Sequence, residues 1–377
     1  MKKSIPLLFI LLLFILSSFC FALDSSIWYK FPVPEYSYSQ AYITAPDILE
    51  WKIYEDYSEV LLKPGLSFNL FSQTENFKCS HHGDLLGIWY RQKDDTDKNT
   101  IIDWKEVHFN YDIEIERYFS VLNLWGSGNL MMKATDNFEC QTGLTMDIGS
   151  GLGRIVSCVP VADAIRLAHE LDINADDKAI LDIAAILGEK SKYQHEYKDT
   201  WPEVFYQEIA QMIGLPEMGL KVRRILSSKI YQAVQRSRGW ELRLGYGNVF
   251  FTGTEPQPKG YITIVLDYEL PWGLNKQFSL ILDYDKNLED ESSVFSGNVH
   301  FGLDHSLAWV SYIDLGYHET IGNSIYLDDD SGFIISAGTA KNIFNRLVSK
   351  LSLIYRTDPY YLEPKFDLNI ELEYYLW

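Results

Sequence analysis

From Trp240 onward the chain alternates apolar and polar residues with a period of two, in one segment after another. Leu242, Leu244 and Tyr246; Ile262, Ile264, Leu266 and Tyr268; Phe278, Leu280, Leu282 and Tyr284; Val299, Phe301 and Leu303; Trp309, Ile313, Leu315 and Tyr317; and Leu347, Leu351, Leu353 and Tyr355 form apolar rows. A last row, Phe366, Leu368, Ile370, Leu372, Tyr374 and Leu376, runs against Asp367, Asn369, Glu371 and Glu373, and Phe333 to Gly338 is a shorter candidate. Strand residues point alternately to opposite faces, so each segment reads as a strand with one apolar face. Most rows finish on tyrosine, as an interfacial aromatic girdle requires.

The same period governs the chain up to Gly153. Leu66, Phe68 and Leu70, then Leu86, Ile88 and Tyr90, form rows, and Val107, Phe109, Tyr111, Ile113 and Ile115 alternate with His108, Asn110, Asp112 and Glu114. Strands follow at Leu122 to Lys133 and Cys140 to Gly153. In the second, Leu144, Met146, Ile148 and Leu152 oppose Asp147, Gly149, Gly151 and Gly153. The order D-x-G-x-G-x-G there resembles the glycine loop of S-adenosylmethionine-dependent methyltransferases. That motif needs a doubly wound domain of alternating strands and helices after it, and none follows.

Between the two strand series the period changes to that of a helix. Ile165, Leu167, Ala168 and Leu171, then Ile180, Ile183, Ala184 and Leu187, define two helices. Thr200-Trp201-Pro202-Glu203 reads as a capping box launching Val204 to Ile213, and Leu220 to Arg236 reads as a fourth helix. The division expected is a signal peptide at 1–22, a lead-in at 23–56 that includes the first strand or ends before it, barrel strands at 57–156, a helical insertion at 157–238 and barrel strands at 239–377.

Lys2 and Lys3, the apolar run Ile5 to Leu16 and small residues before Leu23 describe the signal peptide, with cleavage expected after Ala22. Phe19 before Cys20 argues against lipoprotein processing. The whole chain has 33 basic and 52 acidic residues. Such a balance argues against nucleic acid or an anionic lipid surface as the main partner. Cys79, Cys140 and Cys158 remain after cleavage, an odd number, and a Cys79–Cys158 bridge is the pairing expected. Cys79, His81 and His82 suggest a metal site, but adjacent strand residues point apart, so no metal is expected. His305 and Ser306 fail as a catalytic pair for the same reason, and His169 and His195 have no partner at a catalytic spacing. No catalytic residue and no cofactor are expected.

The alternating last strand and the terminal aromatic, Tyr374, Leu376 and Trp377, resemble the assembly signal of Gram-negative outer-membrane β-barrel proteins, although Trp377 lies one step out of phase with the apolar row. Gly151-Leu152-Gly153-Arg154-Ile155 resembles the strand end that precedes a helical region in uncharacterised members of that class. The resemblance implies a mainly β protein, an antiparallel transmembrane β-barrel of about 12–14 strands with a small all-α periplasmic insertion. It implies outer-membrane lipid and the barrel-assembly machinery as partners, with a periplasmic protein at the insertion as a further one. In this class the last strand ends in the periplasm. Thr357 to Pro364, His318 to Ser331, Asp285 to Ser293 and Thr252 to Lys259 are then external, and Thr339 to Asn342, Asp304 to Ser306 and Pro271 to Lys276 periplasmic.

The inward faces follow from the outward ones. Glu241, Arg243, Gly245 and Gly247 are expected beside Asp147, Gly149, Gly151 and Gly153, a glycine seam that either receives the insertion at the periplasmic mouth or relieves crowding and bends the barrel wall. Elsewhere the lumen is expected to carry Asp267, Glu269, Asp283, Asp285, Asp304, Asp314, Asp367, Glu371 and Glu373, opposed by Arg243, Lys350 and Arg356. A water-filled lumen of that kind favours cations; the alternative is a network of pairs that fills a closed lumen. The function expected is a channel or transporter with a plug-like or partner-docking helical domain, the alternative a non-conducting scaffold, assembly or adhesion protein.

Overall fold

The computed structural model describes residues 27 to 375 apart from 32–35, 47–48, 54–56, 63, 95–100, 121, 136–139, 216–218, 228–235, 253–258, 273–274, 290–291, 307, 322–330, 345–346 and 358–364. The expected signal peptide and the last two residues, Leu376 and Trp377, lie outside the described residues. After a short helix α1 (Ile27–Lys30) come β1 (Tyr36–Pro46), β2 (Leu49–Ile53), β3 (Tyr57–Leu62), β4 (Gly65–Gln73), β5 (Phe77–Asp94), β6 (Ile101–Phe119), β7 (Leu122–Thr135) and β8 (Cys140–Ser157). Helices α2 (Val159–Glu170), α3 (Asp177–Gly188), α4 (Lys190–Tyr197), α5 (Trp201–Met212) and α6 (Gly219–Ser227) follow. The chain then runs through β9 (Ser237–Thr252), β10 (Lys259–Trp272), β11 (Lys276–Asn287), β12 (Ser293–Ser306), β13 (Trp309–Ile321), β14 (Ser331–Phe344), β15 (Leu347–Thr357) and β16 (Lys365–Tyr375).

All sixteen segments belong to one antiparallel sheet, and it closes on itself. β1 pairs with β16 on one side and β4 on the other, β4 pairs with β5, and the order then runs unbroken from β5 to β16. β2 continues the path of β1, and β3 that of β4, since β2 pairs with β3 and β3 with the upper half of β5. Counting each broken strand once leaves fourteen staves, within the expected range. Closure pairs every described strand on both sides except β2, which pairs with β3 alone among the described residues.

Connection length differs between the two ends of the barrel. At the end where the helices leave, β4–β5, β6–β7, β10–β11, β12–β13 and β14–β15 are joined by two or three residues. At the other end, β9–β10, β11–β12, β13–β14 and β15–β16 need five to nine. Two turn positions differ from expectation. Thr339 to Asn342 lies inside β14, which runs 14 residues, and the turn follows Phe344. Asp304 to Ser306 likewise ends β12. In both places a bulge near the strand end blurs the period. Leu86, Ile88 and Tyr90 share the inner face with Asp84, because Leu85, opposite the outward Leu66, continues the outer row.

The helices have a core of their own. Val161, Leu167, Ile183, Phe205, Ile209 and Val222 come together there, and Trp28 of α1 and Phe31 just after it enter the same core. Five helices stand where four were expected, because α4 (KSKYQHEY) has almost no apolar stripe to announce it. The capping box is absent: Thr200 is helical itself and its hydroxyl donates to the Tyr197 carbonyl. Of the fourth expected helix, Gly219–Ser227 is described and 228–235 is not.

The expected disulfide is not formed, and Cys79 and Cys158 are free. Cys79 lies on the outer face of β5, 3.2 Å from His81 Nε2, while Cys158 lies in the helical core. The barrel wall separates them. His81 meets Tyr111 on the outer face, and His82 meets Asn69 and Asp84 on the inner one. Burial pushes the Cys158 thiol up to about 11, so it stays protonated at neutral pH and lacks the reactive thiolate. In the folded protein near neutral pH, Cys158 is expected to resist maleimide and to react only after denaturation, as read by mass after proteolysis.

Candidate functional site: the capped mouth and its charge layer

β5 to β10 place charged side chains inside the barrel near the helical end. Arg243 on β9 donates to Glu114 on β6 and lies 3.6 Å from Glu116, bridging staves that are not neighbours in the sheet. Lys78 on β5 donates to Glu116 at 2.8 Å. Tyr118 donates to Glu116, and Asn123 on β7 donates to Glu241. Glu116 and Glu241 are fully enclosed, at 0% and 1% exposure. Each buried carboxylate here has a donor against it, as burial demands. Together they form a layer that spans β5 to β9.

Glycine makes room for one wall of this layer. Asp147 lies opposite Gly247, Gly149 opposite Gly245, Gly151 opposite Arg243 and Gly153 opposite Glu241. The space over Gly149 and Gly245 is filled by the Trp125 indole from β7, whose ring a Cβ at either glycine would strike. Of the two roles expected of the seam, relief of crowding fits Gly149 and Gly245, which receive a barrel tryptophan. Gly153, at φ +89°, adopts a backbone that favours glycine where β8 nears the helices. Gly245→Val is expected to overpack Trp125 and cost about 1–3 kcal/mol, read as a lower urea midpoint for the folded barrel.

The helices attach around the mouth at two separated places, and the end of β8 that leads into them is tied to the β4–β5 turn. At their root, the Ser157 N–H donates to Gln73 Oε1, and Arg154 reaches the Thr74 and Glu75 carbonyls in the β4–β5 turn. On α4, Ser191 meets Ser37 of β1 at 2.5 Å. On the far side, Arg166 of α2 donates to the Asp304 carbonyl, and Arg236 donates to the Asp304 carboxylate at 2.5 Å. Arg236 and Asp304 are buried, at 1% and 2% exposure. Burial draws the Arg166 and Arg236 guanidinium groups below their usual range, and Asp304 draws them partly back up. The segment around α1 adds a strap: Lys30 pairs with Asp177 at 2.6 Å, and Arg238 donates to the Phe31 carbonyl.

Farther from the helices, the inner face is looser. Met131 is 57% exposed although it shares the inner face of β7 with Trp125, and Ile281 and Ile334 are also exposed there. A cavity of about 340 Å³ lies against Ser80, His82, Asp112, Glu114, Asn129 and Asp147. Tyr261 and Ser127 both donate to Asp147, and His300 and Ser336 meet Asp314. Glu269 accepts from Gln277 and Ser279, and Asp283 meets Thr263, with Asp267 and Asp285 on the same faces. On β15 and β16, Lys350 lies opposite Glu371, Val348 opposite Glu373, Ile354 opposite Asp367 and Arg356 opposite Lys365. Lys78, Glu114 and Glu116 escape the sequence reading as members of one site. Their parity, opposite to that of the apolar outer rows, is the signal that could have found them.

No protein-family model matches this chain, and no curated protein matches it. Among solved structures it is similar to an outer-membrane channel of Pseudomonas putida F1, with 10% identity, 92% of this chain and 96% of that chain covered, and a TM-score of 0.34. It is also similar to the outer-membrane protein Omp33 of Acinetobacter baumannii, with 5% identity, 91% and 99% coverage and a TM-score of 0.36. A BenF-like porin of Pseudomonas fluorescens Pf-5 gives 8% identity, 90% and 97% coverage and a TM-score of 0.34. At these scores the likeness carries nothing about what passes through this barrel.

Proposed function

We propose that the chain is an integral outer-membrane channel whose periplasmic mouth is closed by the helical domain. The observation that carries this reading is the reversal of polarity across the wall. Leu244, Ile264, Ile313, Leu315 and Leu353 stand exposed on the outside, while Glu116, Glu241 and Asp304 are enclosed within. A water-soluble barrel would place these the other way round. Long connections at one end and short ones at the helical end support a periplasmic cap. The surplus of inward acids supports cation selectivity. The chemistry is passage rather than catalysis.

The complete charge layer beneath the cap favours a second reading, a non-conducting scaffold whose helices hold a periplasmic protein. Planar-bilayer conductance of the refolded chain, with and without the helices, separates the two. Openings with cation preference support the channel, and silence of both folded forms overturns it.

A further inference from the structure

Inside the lumen, Lys78 and Arg243 are in ion pairs, with Glu116 and Glu114. Three cations on the outside of the barrel at the helical end are arranged differently. Arg117 Cζ lies 5.5 Å from the centre of the Phe119 ring at the end of β6. Lys276 Nζ lies 5.2 Å from the Trp272 ring, across the β10–β11 turn. Lys341 Nζ lies 5.3 Å from the Trp309 ring, its partner across β13 and β14. In a chain with 52 acidic residues to draw on, none of these three is in an ion pair among the described residues.

The rings are exposed and face away from the lumen, Phe119 at 51%, Trp272 at 52% and Trp309 at 42%. Exposed aromatics at a barrel rim mark the level of the lipid interface. A lysine or arginine stem lying along such a ring carries its charged head outward, to the level of lipid phosphates. The ring orients the cation without neutralising it, so an anion is still required. Among the described residues no acid pairs with any of the three, and the surroundings of an outward rim supply anions from the membrane. The three pairs stand on β6, at β10–β11 and at β13–β14, well apart around the wall.

We propose that this rim is a belt of three lipid-headgroup sites, each cation–aromatic pair binding the phosphate of an anionic glycerophospholipid in the inner leaflet. The proposal rests on the reading of the chain as a membrane barrel with its helices in the periplasm. The test uses the full chain, refolded in detergent and exposed to phosphatidylglycerol or to phosphatidylcholine with the same acyl chains. Bound lipids are counted by native mass spectrometry. The wild type is expected to retain phosphatidylglycerol severalfold over phosphatidylcholine, and the triple variant R117Q/K276Q/K341Q to lose that preference. K276R and K341R are expected to keep it. Equal retention by wild type and triple variant overturns the belt, as does lack of preference in the wild type. Preferential capture of lipopolysaccharide overturns the inner-leaflet assignment. Failure of the membrane reading shows separately, as a wild-type chain that folds in water without detergent and binds neither lipid.

Discussion

Replacing residues 159–235 with a short flexible linker is expected to turn a barrel with rare openings into one with frequent cation-selective steps in a planar bilayer. The expectation follows from the attachment points. The helices hold to β1 and to β12, so they reach across the mouth instead of hanging from one side of it. Their core takes one residue from the sheet, Val156 at the end of β8, and the barrel closes through strand pairing in which they take no part. The shortened chain should therefore still fold, as a heat-modifiable band would show. The layer of Lys78, Glu114, Glu116, Glu241 and Arg243 remains after the deletion, linking β5, β6, β7 and β9 across the inner face. A further Arg243→Ser change should then widen the steps and strengthen cation preference, because it removes a cation from among three carboxylates. If the deleted barrel folds but stays silent, the layer itself is the wall, and the scaffold reading gains.

Sequence carries the barrel well, for a reason visible in particular residues. Leu242, Leu244 and Tyr246 face the exterior and Glu241 and Arg243 the interior because one period of two sets both rows. The register of β8 on β9 is legible for the same reason. What depends on contacts between distant segments is not legible. Trp28 and Phe31 read as part of a lead-in, yet they complete the core of helices more than a hundred residues later. Gly149 and Gly245 announce a close approach, but the approaching group, Trp125, comes from a third strand and carries no local mark. The disulfide fails on a matter of sides: both cysteines lie toward one end of the barrel, but the wall stands between them. Asp304 reads as an inner-face residue, whereas its two arginine partners come from the insertion and from the segment just before β9.

Those partners make Asp304 the point at which a single change should release the cap. Asp304→Ala leaves Arg236 buried with no carboxylate, and breaking a buried pair in this way costs about 3–5 kcal/mol. The closed sheet does not depend on that pair, so the loss should fall on the attachment of the helices. The expected result is faster proteolysis within 159–235, more frequent channel openings and an unchanged heat-modifiable barrel. Arg166, whose bond is to the Asp304 carbonyl, keeps its partner in this variant, which limits the release to one side of the mouth. The double variant Asp304→Leu with Arg236→Met separates charge from shape. Apolar groups of similar volume often replace a buried ion pair without loss, so protease resistance should return and the openings should again be rare. If Asp304→Ala leaves both proteolysis and conductance at wild-type levels, the Asp304–Arg236 contact does not hold the cap, and the N-terminal strap with the Ser37–Ser191 contact must do so.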